Sequence, residues 1–385
     1  MLRTVTAPIA LDCCCDQEDE MEYKIAVIPG DGIGVDVIRE AVRVLDKVGE
    51  VYGHTFHKEY RLVGGCCIDE YNVPIQPETL EICKGCDAVL FGAAGGPKWD
   101  HLPRQLRPES GLAALRRGFD LFCNVRPAKI YEALKDNSPL KNEVLNQGFD
   151  LMLVRDLTGG IYFGEKGVRE GKYGAEGYDV ECYSAYEVER VAVKAFELAR
   201  SRRKHVTSID KANALESSRM WRQTVAEVAA HYPDVTLENL LVDKAAMEIA
   251  CHPSRFDVML TTSIFGDILS DEAGVVTGSV GLLPSAAINS QGFGLFEPIH
   301  GTAPDIAGKG IANPLAATMS AAMLLDIGLG LKEEARAIER AVNQVLLEGW
   351  RTADIYRESA HLTRVSTEEM GRLTVERITK TDKDR

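Results

Sequence analysis

Residues 24–49, KIAVIPGDGIGVDVIREAVRVLDKVG, constrain the fold more than any other stretch. A short β-branched run enters a glycine turn, and apolar residues then recur at helical spacing. The exchange repeats down the chain. The spacing predicts a strand in 55-TFHKEYRLVGG-65 and a helix in 78-ETLEICKGC-86. A buried strand running into a glycine loop follows in 87-DAVLFGAAGGPKW-99, then a helix in 109-ESGLAALRRGFDL-121. Strands alternating with helices predict an α/β fold with a largely parallel sheet.

The middle changes character. 150-DLMLVRDLTGGIYFGEKG-167 reads as strand-rich, and the Gly/Tyr/Glu-rich residues up to Tyr183 suggest an extended, hairpin-like arm. Helices are expected over 185–204 and 214–232, with strands at 205–213 and 257–263. A glycine-rich region then runs from Gly278 to Asn313, and helices at roughly 314–330 and 332–348 follow.

Composition narrows the function classes. The 385 residues carry a formal net charge of -14, which argues against a nucleic-acid surface but leaves room for a local basic pocket. No run of about 18 apolar residues exists, so no membrane span is expected. Met1–Glu22 holds one basic residue, Arg3, and turns acidic, which makes a poor targeting signal. A disordered leader is expected there. The ten cysteines do not make a disulfide scaffold, and Cys83-x-x-Cys86 has no second pair at zinc spacing. Structural thiols in a reducing, cytoplasmic compartment fit best, with an organelle stroma also compatible.

Several motifs carry possible chemistry. PGDGIG places glycines at 30, 32 and 34, a G-x-G-x-G spacing that does not match the dinucleotide fingerprint. Alone it is a glycine turn before a helix. Arg116, Arg126 and Arg155 each follow an apolar stretch; each snorkels or caps, or together they form a guanidinium cluster for carboxylates. Asp267 and Asp271 in 265-FGDILSDE-272 stand at i and i+4, sharing one helix face, where like charges repel unless a cation intervenes. Hard carboxylate oxygens suit Mg²⁺ or Mn²⁺, although many solvated helices show this spacing. Lys211 is a surface lysine or a base, and Tyr162 a core aromatic or a proton donor. His300 lies in 297-EPIHGTAPDIAGKGIANP-314, a turn-rich loop suited to backbone contact with a phosphate-bearing ligand or to plain solvent exposure.

Together, 95-GGPKWDHLPRQLRPESGLAALRRGFDLFCNVRP-127, 155-RDLTGGIYFGE-165, 207-TSIDKANALESSRMWR-222, 265-FGDILSDEAG-274 and 297-EPIHGTAPDIAGKGIANP-314 resemble the isocitrate/isopropylmalate dehydrogenase family of β-decarboxylating dehydrogenases. The resemblance runs from about Lys24 to about Glu369 without large gaps. It implies the family's two-domain α/β fold, not a Rossmann fold, with a discontinuous first domain. That domain spans 23–122 and 278–385, and the second, dimerising domain spans 123–277. The implied activity is oxidative decarboxylation of an alkylmalate of leucine biosynthesis, using NAD and Mg²⁺ or Mn²⁺. Arg116, Arg126 and Arg155 match the substrate-carboxylate arginines. Tyr162 and Lys211 match the catalytic pair, and Asp243, Asp267 and Asp271 the metal ligands, with Asp243 also against substrate. The family's homodimer would bring Lys211 and Asp243 from the partner subunit. Asn213, Glu297, His300, Gly301, Asp305 and Asn313 match the cofactor site.

Two positions discriminate within the family. Glu109 and Leu112 occupy the stretch that reads the substrate side group, and an apolar Leu112 suits isopropyl. Ser110 coincides with a serine that isocitrate enzymes use. Asp305 is acidic, which favours a free ribose 2′-OH and hence NAD. Val35-Asp36 departs from the common Pro-Glu, and Lys244 puts a cation next to Asp243. The competing readings are a relative using D-malate, tartrate or a longer alkylmalate, and a silent regulatory subunit. All the catalytic groups are present here.

Overall fold

The computed structural model describes residues 21–380. The expected leader lies outside these residues except at its end, where Glu22 already pairs with Thr55 as the sheet begins. In chain order the strands are β1 (Glu22–Gly30), β2 (Thr55–Tyr60), β3 (Ala88–Ala93), β4 (Cys123–Lys129), β5 (Asp150–Asp156) and β6 (Lys166–Gly171). Then come β7 (Gly174–Asp179), β8 (His205–Asp210), β9 (Thr236–Leu241), β10 (Val258–Thr261), β11 (Pro284–Ile288) and β12 (Gly294–Pro298). Ten of them form one sheet, ordered β2-β1-β3-β12-β11-β4-β5-β10-β8-β9, β6 and β7 form a separate hairpin, and two further short strands, Trp350–Arg351 and Thr363–Arg364, pair with each other. One half of the sheet is therefore built from residues 22–93 and 284–298, and the other from residues 123–261.

The outer ladders are parallel, as the alternation with helices requires. The centre is not: β12–β11, β11–β4 and β4–β5 are antiparallel. Sequence reading placed no strands at β4, β11 or β12. All five residues of β11 and of β12 are buried, so neither strand shows a polar/apolar alternation. Proline opens β11, closes β12 and interrupts β4, and glycine opens β12, all features that read as loop.

Helices cover the sheet. Gly34–Tyr52 buries Val37, Ile38, Ala41, Val44, Leu45 and Val48 along one stripe and ends at Gly53, whose φ of 81° makes the left-handed cap. Each large side chain in such a stripe contributes about 1.5–3 kcal/mol. Ala185–Arg200 starts with a reciprocal capping box between Ser184 and Glu187. The helix expected to reach residue 330 is regular over Leu315–Met323 and then widens into a π-turn at Leu324–Gly328. Among the described residues no helix is long and apolar enough to cross a membrane.

The PGDGIG turn joins backbones. A Cβ on Gly30 would lie 1.9 Å from the Ala93 carbonyl oxygen, and one on Gly32 would lie 2.1 Å from that of Thr302. One on Gly34 would meet the Pro29 carbonyl oxygen at 2.3 Å. The glycines let the β1 turn press against the end of β3 and against the loop after β12.

Candidate active site

β3, β4, β12 and the helix Glu109–Gly118 end around a cavity of about 200 Å³. Leu112, Arg116, Arg126, Glu297, His300 and Gly301 are among the residues that line it. Arg116 donates from Nη2 to Glu297 Oε1 at 2.7 Å. Its Nε is buried without a partner.

Arg126 and Arg155 sit on neighbouring antiparallel strands, β4 and β5. Arg126 Nε donates to Asn124 Oδ1 at 2.6 Å, and Asn124 is itself held by Ser285 Oγ and the Ala286 carbonyl. Arg126 Nη1 lies 2.5 Å from Ser270 Oγ and 3.5 Å from Asp267 Oδ1. Arg155 donates from Nε to the Ser263 carbonyl at 2.6 Å and from Nη1 to Asp267 Oδ1 at 2.7 Å. Tyr162 reaches the other oxygen, its hydroxyl donating to Asp267 Oδ2 at 3.1 Å. One carboxylate thus serves two guanidiniums and a phenol. Burial, then the neighbouring Arg155 cation, pushes Arg126 down to about 10, so it stays charged at neutral pH. Burial, with Asp267 adding to it, pushes the Tyr162 phenol up. Two buried cations this close need an anion between them, and Asp267 supplies it.

The helix Ser263–Thr277 carries Asp267 and Asp271. Asp271 is exposed and makes no hydrogen bond or ion pair among the described residues. Asp243 opens a different helix, Val242–Cys251, and takes Lys211 Nζ at 2.5 Å on Oδ1. That lysine holds the Asp243 carboxyl below the usual range. Lys211 follows β8, where buried Asp210 takes both arms of Arg222 at 2.8 Å. The Lys211–Asp243 pair shares no hydrogen bond with the Arg126–Arg155–Asp267 group. Among the described residues, no three His, Cys, Asp or Glu side chains are placed to hold a metal. Within one chain, then, Asp267 and Asp271 offer hard oxygens from one helix face, and Asp243 stands apart.

The loop after β12 is open and rich in left-handed glycines. Gly308 and Gly310 have φ of 70° and 67°, and nothing lies within 4 Å of a Cβ built on either. Asp305 is exposed on the same loop. His300 Nε2 is buried without a partner, while Nδ1 faces the Gly301 carbonyl; burial lowers the ring's proton affinity. Asn313 is buried and tied to the protein, donating to Asp354 Oδ2 at 3.0 Å and accepting from Leu315 N. Asn213 is exposed after β8 and away from this loop's hydrogen bonds. Glu109 is exposed beside Gly95. The Ser110 hydroxyl is 2.7 Å from the Arg107 carbonyl and 2.9 Å from that of Gln105, so it serves its own turn.

Sequence reading missed Asn124 and Ser270, which orient Arg126. The signals were present: Asn124 is two residues from Arg126 on a strand, and Ser270 follows Asp267 by one helical turn. Cys83 and Cys86 are free and buried, and burial pushes the Cys83 thiol up to about 12, which suits packing and not redox chemistry.

Comparison with known proteins identifies the family. The family model for isocitrate/isopropylmalate dehydrogenase matches residues 24–374. The 3-isopropylmalate dehydrogenase of Clostridium acetobutylicum is 56% identical over 356 residues, covering 92% of this chain and 99% of that protein. The 3-isopropylmalate dehydrogenase of Bacillus subtilis is 52% identical over 355 residues, covering 91% and 96%. Among solved structures, isocitrate dehydrogenase from Methylococcus capsulatus superposes with a TM-score of 0.81 at 34% identity, covering 93% of this chain and 100% of that one. A β-decarboxylating dehydrogenase from Thermococcus kodakarensis gives 0.75 at 37% identity, covering 92% and 96%. The chain belongs to the isocitrate/isopropylmalate dehydrogenase family.

Proposed function

We propose that this chain oxidatively decarboxylates 3-isopropylmalate to 2-oxoisocaproate and CO2 with reduction of NAD⁺, a step of leucine biosynthesis. One observation carries the reading: the apolar Leu112 lines the same cavity as Arg116 and Arg126, in a chain whose relatives bear that enzyme's name. An isopropyl group needs an apolar neighbour, and its two carboxylates need the guanidiniums.

Arg116, Arg126 and Arg155 bind and orient the carboxylates. Lys211 takes the proton from the substrate hydroxyl oxygen as the carbon bearing it is oxidised to the 2-oxo compound; a bound NAD⁺ would accept the hydride from that carbon. Loss of CO2 then leaves an enolate, and Tyr162 delivers a proton to the former β-carbon. Asp267 and Asp271 of one chain, with Asp243 of a second copy, would hold a Mg²⁺ or Mn²⁺, which would supply Lewis-acid stabilisation of the developing oxygen charge. Glu297, His300, Gly301, Asp305 and Asn313 form the cofactor loop, with Asp305 toward a ribose hydroxyl; Asn213 and Glu109 complete the nicotinamide and side-group ends.

The site is completed by a second copy, which contributes Lys211 and Asp243. The separation of that pair from the arginines within one chain supports this. So do Met247, Ile268 and Val275, apolar side chains exposed at 61%, 60% and 59% on the two helices that carry Asp243 and Asp267. The division of the sheet into strands from residues 22–93 and 284–298 and strands from 123–261 supports domains at 23–122 with 278–385, and at 123–277. The free thiols suit a reducing cytoplasm.

The test is NADH production from 3-isopropylmalate with Mg²⁺ or Mn²⁺, with and without EDTA, beside D-malate and isocitrate. Faster turnover of D-malate overturns the substrate, and activity indifferent to EDTA overturns the metal. Lys211→Met is expected to bind substrate without turnover.

A further inference from the structure

The glycine turn that opens the fold lies outside the cavity, yet it holds the loop that lines it. Ile33 N donates to the Thr302 carbonyl at 2.8 Å. Six residues further along the loop, Gly308 N donates to Asp36 Oδ2 at 3.0 Å. Asp36 sits in the first turn of Gly34–Tyr52, and its side chain is only 14% exposed. The charged group facing it is Arg39, 3.9 Å away on the same helix. Past Gly308 the loop is fixed again, by Thr367 N on the Gly310 carbonyl at 2.9 Å and Thr367 Oγ1 on that of Ala312 at 2.6 Å.

Between these anchors the loop closes on itself, with Ile306 N donating to the Ala303 carbonyl at 3.1 Å and Lys309 N to that of Ile306 at 3.1 Å. Asp305 sits at the exposed edge of this small turn. Its position is set by where Thr302 and Gly308 are held. Thr302 is held by backbone alone, whereas Gly308 is held by a carboxylate.

We propose that Asp36 is a positioning residue for the cofactor: it latches the loop at Gly308 and so places Asp305 where a ribose hydroxyl meets it. This rests on the NAD reading above. The aspartate is specific to this arrangement, since the helix begins Gly34-Val35-Asp36 and the short side chain reaches Gly308 N directly. A carboxylate accepting a backbone N–H makes a charge-assisted bond, and asparagine at the same position keeps an acceptor while losing the charge.

The test uses the full-length chain with Asp36→Ala and Asp36→Asn. Amide exchange over residues 303–310 reads the latch without any ligand. Asp36→Ala is expected to speed exchange at Gly308 at least tenfold, and Asp36→Asn to restore most of the protection. Steady-state kinetics read the consequence: the NAD⁺ KM rises about tenfold in Asp36→Ala, the size of one such bond, while the 3-isopropylmalate KM moves less than twofold. Preference for NAD⁺ over NADP⁺ falls in the same variant and recovers in Asp36→Asn. Unchanged exchange at Gly308 refutes the latch. Faster exchange with an unmoved NAD⁺ KM, or equal rises in both KM values, refutes the positioning role. If the unsubstituted chain produces no NADH, the NAD reading fails while the exchange measurement still decides the latch.

Discussion

Replacing Asp31 by alanine separates what the glycine turn does for the fold from what it does for a ligand. The Asp31 side chain is 5% exposed and accepts three backbone N–H groups: Gly65 at 2.7 Å and Gly95 at 3.0 Å on Oδ2, and Cys66 at 2.7 Å on Oδ1. Its own N–H donates to the Ala93 carbonyl at 2.7 Å. One carboxylate therefore ties together the β1 turn, the start of the helix Gly65–Tyr71 and the loop after β3 that runs to the cavity. Hydrogen bonds to a buried charge contribute about 1.5–3 kcal/mol each, so three independent ones would contribute about 5–9 kcal/mol. They share an acceptor, and water enters once the carboxylate is gone, so about 3–5 kcal/mol is expected. In a chain of this length that lowers the melting temperature by about 4–6 °C. Asp31→Asn keeps one carbonyl oxygen but turns an amide N–H₂ toward a donor, and about half the loss is expected. Asp87→Ala is the control, because Asp87 accepts one exposed backbone N–H, from Lys24 at 2.7 Å, and about 1 kcal/mol or less is at stake. Thermal unfolding followed by circular dichroism reads all three. If Asp31→Ala melts with Asp87→Ala, the buried carboxylate is not holding the three segments and the reasoning is wrong.

Three further outcomes are expected. In Gly266→Ala the new methyl would lie 2.7 Å from Arg155 Cγ and 2.9 Å from Thr261 Cγ2, so the guanidinium must move; a loss of about 1–3 kcal/mol and a raised substrate KM are expected, and unchanged kinetics would show that Arg155 does not bind substrate. Burial pushes Asp156 up to about 6, so the native protein binds more protons than the unfolded chain between roughly pH 4 and 6. This group's contribution is greatest below that window and is lost as pH rises through it, by about 2–3 kcal/mol in all; Asp156→Asn should flatten the stability–pH curve there, and an unaltered slope rejects the assignment. Leu112→Asn should lower kcat/KM for 3-isopropylmalate about 10- to 100-fold with little change for a malate lacking the alkyl group, and an equal loss on both substrates removes Leu112 from side-group recognition.

How much of this was legible depends on which physical signal each residue leaves. The outer strands and helices announce themselves by periodicity, and β1 with its following helix is the clearest case. β4, β11 and β12 leave no such mark, because strands covered on both faces have no reason to alternate and prolines sit within or at the ends of them. The site divides the same way. Arg116, Arg126 and Leu112 are brought to one cavity, yet no spacing connects residue 116 with Glu297, which it pairs across the sheet at 2.7 Å. PGDGIG was read correctly as a turn and not as a dinucleotide fingerprint, but its purpose is visible only in the atoms the glycines approach. Ser110 shows the reverse: its identity suggested a role in substrate choice, whereas its hydroxyl is turned to its own backbone.

Asp267 shows why the charge pattern of this site was ambiguous from spacing. On its helix it stands one turn from Asp271, an arrangement that by itself costs a few tenths of a kcal/mol. In the folded chain the larger effect is across the cleft, where Arg155 at 2.7 Å and Arg126 at 3.5 Å both use Asp267 as their counter-charge. Two guanidiniums that are buried side by side are as dependent on Asp267 as it is on them. Under the proposed reaction a substrate carboxylate reaches the same donors, so binding exchanges one carboxylate for another at Arg126 and Arg155 and releases Asp267 toward Asp271. Such an exchange leaves the guanidiniums desolvated and paired throughout, so their desolvation cost is met in folding and not at the binding step. A chain with a net charge of -14 can take a dianion for that reason: long-range repulsion is screened within about 10 Å, and inside that distance the substrate meets cations already in place.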